Sequence, residues 1–177
     1  TGMADADLRD LWAYLKTVPP VAEVAPGHDL NFPFNIRALV WPWRWLYFDE
    51  GEKPDDGARS AQWNRGAYLV RAVAHCGECH TPRNFLGGPD TERELAGNPN
   101  GPDGKRIPDI TPNPEKGIGN WSAADIVSYL ESGILPDGDF AGGAMVEVIE
   151  NSTSKMTPED REAVAAFVTS VPASGAP

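Results

Sequence analysis

Cys76-Gly77-Glu78-Cys79-His80 holds both cysteines of this 177-residue chain and one of its three histidines. Two thiols three positions apart lie one helical turn from each other, on one face. So placed, they can add to the two vinyl groups of a haem, which brings the imidazole of the next residue under the iron. The motif therefore predicts thioether links at Cys76 and Cys79, an iron ligand at His80, and one covalently bound haem c. Three other readings of the spacing are weaker. A thioredoxin-type pair needs a βαβ context, and no strand pattern precedes Cys76. A zinc centre needs more ligands than His28 and His75 can add. A structural disulfide does not call for the adjacent histidine.

The second axial ligand has five candidates: Met145, Met156, Met3, His28 and His75. His75 directly precedes Cys76, so its side chain leaves the anchoring turn in another direction. His28 lies in an aperiodic stretch and reads as surface. Met3 and Met156 each stand just before a helix start, where an apolar residue packs onto the first turn. Met145 follows Asp137-Gly-Asp-Phe-Ala-Gly-Gly-Ala144, whose small residues let backbone approach a flat ring closely. His80 and Met145 are thus the expected iron ligands.

Outward from the motif, residues 4–17 read as an amphipathic helix, with Leu8, Leu11, Trp12 and Leu15 at helical spacing and Pro19-Pro20 as its stop. Periodicity is lost from Val21 to Ala61, a stretch that contains the aromatic block Trp41–Phe48. A helix is expected over about 62–73, then irregular chain from Cys76 to Asn120. Ser122 with Asp125 forms a capping-box-like start for a helix ending near Gly133. Another Gly-rich loop covers 135–144. Thr157-Pro158-Glu159-Asp160 opens a last helix that Pro172 ends. The predicted class is all-α with long loops.

Met3–Pro19 and Met156–Pro172 match at a constant offset of 153, sharing Met, Asp, Ala, Val and Pro and pairing Tyr14 with Phe167. The match predicts that residues 1–20 are the last helix of a preceding copy of one module, absent from this chain.

Composition bounds the function. With 26 acidic and 15 basic side chains the net charge is −11, which excludes a nucleic-acid binder of the usual basic kind. Glycine and proline, 18 and 17 residues, suit a domain made largely of loops. No apolar run reaches the roughly 18 residues that span a bilayer.

Several further motifs resemble one family. Asn64-Arg-Gly-Ala-Tyr68-Leu-Val70, His75 through Asn84, Asp109-Ile-Thr-Pro-Asn-Pro114, Gly117-Ile-Gly-Asn-Trp-Ser122, Pro136-Asp-Gly138 and Met145-Val-Glu-Val148 are similar to class I cytochrome c domains. The likeness is to the multihaem cytochrome c subunits of bacterial membrane-bound alcohol, gluconate and related dehydrogenases, and it covers nearly the whole chain. It implies a class I cytochrome c fold with haem-wrapping loops and the following plan: residues 1–20 from a preceding module, 21–61 an aromatic interdomain linker, 62–172 the haem domain, and 173–177 a tail. It also implies a close crossing of Gly66 with Phe167, and contacts from Trp121 and Arg83 to the haem propionates. A residue near Thr81-Pro82 is expected to orient His80 through its free ring nitrogen.

The implied activity is electron transfer without substrate catalysis, from a dehydrogenase to the respiratory chain through an oxidase or another cytochrome. The charge favours basic redox partners. Membrane association is expected through parts outside this chain or a partner subunit. Covalent haem attachment implies a periplasmic location. Two other readings stay open: a dihaem peroxidase-like enzyme with an exchangeable iron site, and a gas-binding sensor haem lacking the Met ligand.

Overall fold

The computed structural model describes residues 2–101 and 104–175. Its regular structure is helical. Among the described residues the only β-type pairing is three isolated bridges, Arg83 with Pro89, Asn98 with Ile107 and Ile134 with Phe140. The chain forms two units, Thr1–Lys53 and Pro54–Pro177.

The first unit carries α1, Asp5–Leu15, and α2, Val40–Tyr47, led by a 3-10 turn at Arg37–Leu39. Helix α2 lies where no periodicity predicted one. Its eight residues, VWPWRWLY, are aromatic on every side, so no polar face marks a helical period. Pro42 is tolerated because the first turn has no intrahelical use for its missing N–H.

The second unit is built on α3, Ala61–Tyr68, α5, Ala123–Ser132, and α7, Pro158–Val168. Its core joins Leu69 and Val70 after α3, Ile126 and Leu130 of α5, and Val164, Phe167 and Val168 of α7. Phe167 is wholly buried and meets Trp63 edge-on, ring centroids 5.2 Å apart. The helices start where their caps place them. Ser60 and Thr157 each accept the N–H three residues on, and Ser122 and Asp125 form a reciprocal capping box, with Asp in the Glu position. Gly133, at φ 77°, closes α5 in the left-handed conformation that costs a glycine little.

The expected crossing of Gly66 and Phe167 is present. A Cβ on Gly66 would fall onto the Ala163 carbonyl and lie 2.8 Å from Phe167 Cβ. Around this contact, Arg65 grips Asp160 through two hydrogen bonds of 2.7 and 2.8 Å, and Trp63 Nε1 donates to Ser170 Oγ.

Helices α1 and α7 correspond residue by residue at the same offset of 153. Each has 11 residues and an extended N-cap. Lys16 N–H donates to Trp12 O as Thr169 N–H donates to Ala165 O, and the Thr17 and Ser170 hydroxyls donate to the Tyr14 and Phe167 carbonyls, both at 2.7 Å. The difference is burial. Val164, Ala165, Phe167 and Val168 are buried, whereas Leu11, Trp12, Tyr14 and Leu15 are 43–65% exposed.

Candidate haem-binding site

The site begins where α3 ends. After Tyr68 the helix widens into a π-turn, Leu69–Val73, in which Ala74 N–H donates back to Leu69 O. His75 then adopts φ 38°, a left-handed conformation costing a non-glycine residue about 1–2 kcal/mol. That turn redirects the chain into the short helix α4, Gly77–His80. His80 N–H donates to Cys76 O at 3.0 Å, so the C-x-x-C-H stretch is one helical turn, the arrangement its spacing predicts.

Both cysteines are free and half-buried. Burial pushes the Cys76 thiol up to about 11, partly offset by a backbone hydrogen bond. A redox-active C-x-x-C needs an attacking thiol shifted the other way, so this environment does not suit thioredoxin-type exchange. Among the described residues no three His, Cys, Asp or Glu side chains converge as a metal-holding group.

His80 is the best-defined member. Its Nδ1 lies 2.8 Å from Pro108 O. A carbonyl only accepts, so Nδ1 carries the proton and donates, and Nε2 keeps its lone pair. Burial lowers the imidazole pKa from its ordinary value, against smaller opposing effects of that hydrogen bond and the Asp109 charge, which favours the neutral ring. The backbone is held as well: Gly97 N–H donates to His80 O at 2.7 Å, and Leu95 N–H to the buried Thr81 Oγ1 at 3.0 Å. A neutral histidine with an oriented, unprotonated Nε2 beside two free thiols is the donor set that haem c requires.

Met145 is the second residue of α6, Ala144–Asn151, a helix the sequence pattern did not predict. The residues before it are small and flexible, and only eight residues separate Gly143 from Ser152, too short for a clear period. Met145, Cys76 and Trp121 are all half-buried and pack against the same apolar core, together with Ile110, Ile118 and Val127. Trp121 meets Tyr129 edge-on at 5.4 Å, and its indole N–H has no hydrogen-bond partner among the described residues. Arg83 stands apart: exposed, ion-paired with Glu78, and donating to Gly87 O at 2.8 Å. Of the other candidates, His75 forms the positive-φ turn before Cys76, and Met156 precedes the α7 N-cap. Sequence reasoning placed the His80 acceptor near Thr81-Pro82 and missed Pro108. The acceptor is a backbone carbonyl, which every residue carries, so no side-chain pattern marks this one.

Residues 64–172 match the family model described as Cytochrome c. Over 171 residues the chain is 47% identical to a diheme cytochrome c-type protein of Cereibacter sphaeroides, covering 94% of this chain and 54% of that protein. It is 43% identical to the fructose dehydrogenase cytochrome subunit of Gluconobacter japonicus, covering 97% of this chain and 35% of that subunit. It is 33% identical to the cytochrome c subunit of the quinone alcohol dehydrogenase of Gluconobacter oxydans, covering 97% and 37% respectively. The chain therefore spans about half the length, or less, of these curated relatives. A helical fold, a C-x-x-C-H turn with an oriented histidine and this match over most of its length converge: the chain belongs to the cytochrome c family.

Proposed function

We propose that the chain is an electron-transfer module carrying one haem, attached through Cys76 and Cys79 and ligated by His80 and Met145, within a longer dihaem or multihaem cytochrome. The observation that carries this reading is the Nδ1–H donation from His80 to Pro108, which leaves Nε2 free for a metal. A bound haem supplies one-electron exchange between Fe(II) and Fe(III), and thioether ligation favours the reduced state. The chain's own residues orient the imidazole, exclude water with the α3–α5–α7 core, and present a sulfur from α6. Trp121 is the better candidate for a propionate contact, because its indole N–H is unused. Arg83 would have to share a guanidinium already committed to Glu78 and Gly87.

The correspondence of α1 with α7 supports a tandem, in which α1 closes a preceding module as α7 closes this one. The relatives named as dehydrogenase subunits support a donor of that kind, with an oxidase or another cytochrome as acceptor and membrane attachment through a partner. Covalent haem supports a periplasmic site. A pyridine haemochrome assay with intact-mass measurement on the full native protein tests the reading. One haem on this segment and at least one upstream are expected; a protein with no covalent haem would overturn it.

A further inference from the structure

Beside the histidine lies a buried acid, Asp109, which ligates nothing in the proposed site. Asp109 is 7% exposed, and it follows Pro108, whose carbonyl accepts the His80 proton. No lysine or arginine pairs with it among the described residues. Its Oδ1 accepts Thr111 N–H and Thr111 Oγ1–H, both at 2.7 Å, and its Oδ2 accepts Ser174 Oγ–H. Thr111 Oγ1 also accepts from Ser174 N–H at 3.0 Å, and Ser174 Oγ from Asn113 Nδ2 at 3.1 Å, which leaves each hydroxyl proton available to Asp109. With both hydroxyls donating, the two oxygens accept three hydrogen bonds, an arrangement that suits a carboxylate.

The same segment is clamped from its other side. Ile107 and Asn98 exchange two backbone hydrogen bonds of 2.8 and 3.0 Å, and Ile110 N–H donates to Leu95 O at 3.0 Å. Gly97, between those partners, is the residue whose N–H holds His80 O. The Pro108 carbonyl is thus placed by a backbone bridge before it and by the Asp109 network after it.

We infer that Asp109 is a positioning residue for His80: its network fixes the Pro108 carbonyl that orients the imidazole, and its charge stabilises the oxidised state of the iron that His80 would ligate. The inference rests on the His80 ligand reading. A buried anion without a cation favours the ion with one more positive charge, so Asp109 holds the reduction potential down. Ser174, reaching the site from the end of the chain, partly neutralises that charge by hydrogen bonding.

Potentiometric titration of the haem-bearing full chain tests this, with visible absorption recorded on the same samples. D109N removes the charge in an isosteric side chain. At a fixed poise its Fe(III)/Fe(II) ratio is expected to fall roughly three- to tenfold, with D109E restoring most of it. S174A keeps the charge but strips a donor from it, so its ratio is expected to rise. Opposite signs distinguish a charge from simple loosening, which moves both variants the same way. Potentials that stay put, or move together, while the absorption stays native would overturn the inference. If D109N fails to take up haem, the sign of the S174A shift decides alone. A wild-type chain with no covalent haem would overturn the ligand reading instead.

Discussion

Gly66 passes so close beneath Ala163 that a Cβ would overlap the Ala163 carbonyl and sit 2.7 Å from its carbon. The crossing of α3 and α7 that this permits buries Phe167 and brings Arg65 to Asp160, and the π-turn and haem motif follow directly from the end of α3. G66A improves helix propensity by about 1 kcal/mol, but its Cβ would lie 2.0 Å from Ala163 O. Forcing the two backbones apart then costs about 2–3 kcal/mol, the upper end for overpacking. The expected outcome is net destabilisation of about 1–2 kcal/mol, read by chemical denaturation. A G66A protein as stable as wild type would show that the helices do not cross there.

The Arg65–Asp160 pair should give stability a defined acid dependence. The guanidinium, chiefly by hydrogen bonding, holds the Asp160 carboxyl below its ordinary value. A depressed folded-state pKa contributes stability that is present above the unfolded pKa of about 4 and is lost as pH falls through the folded value. Both side chains are partly exposed, so the contribution is about 0.5–1 kcal/mol. Relative to wild type, D160N should be weaker at pH 7, and the difference should shrink as pH falls below about 4, in denaturation curves measured from neutral into acid. A difference that persists unchanged to the lowest pH would contradict the pairing.

Met145 has a test that separates electron transfer from sensing. M145A removes the sulfur while leaving α6 a good helix former. The Fe(II)/Fe(III) equilibrium should shift toward the oxidised state by at least tenfold, about 1.4 kcal/mol, and the variant should bind added imidazole or carbon monoxide. A variant with the wild-type potential and ligand reactivity would remove Met145 from the coordination sphere.

Tyr14 tests the tandem. It occupies in α1 the place that the fully buried Phe167 holds in α7, yet it is 65% exposed here. In the full native protein, Y14A should destabilise an upstream module by about 3–5 kcal/mol, the cost of truncating a buried aromatic. The unfolding of residues 54–177 should be unaffected. Equal stability of every transition would mean that α1 closes no module.

The parts legible in the sequence were those with short-range chemical grammar. The capping box of Ser122 and Asp125, the Thr157-Pro158 start and the Gly133 stop are local devices, and each stands where its residues imply. Cys76-Gly-Glu-Cys-His80 was legible because its spacing has few physical uses. Helix α2 was hidden because its aromatic residues, Trp41, Trp43, Trp45 and Tyr47, fall on every side and leave no polar face, and α6 because eight residues after a glycine pair show too little period. Pro108 was hidden for a different reason. Its role belongs to a backbone carbonyl brought to His80 by the Asn98–Ile107 bridge and the Asp109 network, and side-chain patterns do not encode such long-range backbone placements.

Near-infrared magnetic circular dichroism of the oxidised protein reads the ligands of a covalent haem held between His80 and Met145. A low-spin spectrum with the charge-transfer band of histidine–methionine ligation, lost in M145A, is the expected result. A bis-histidine or high-spin spectrum in the wild type would contradict it.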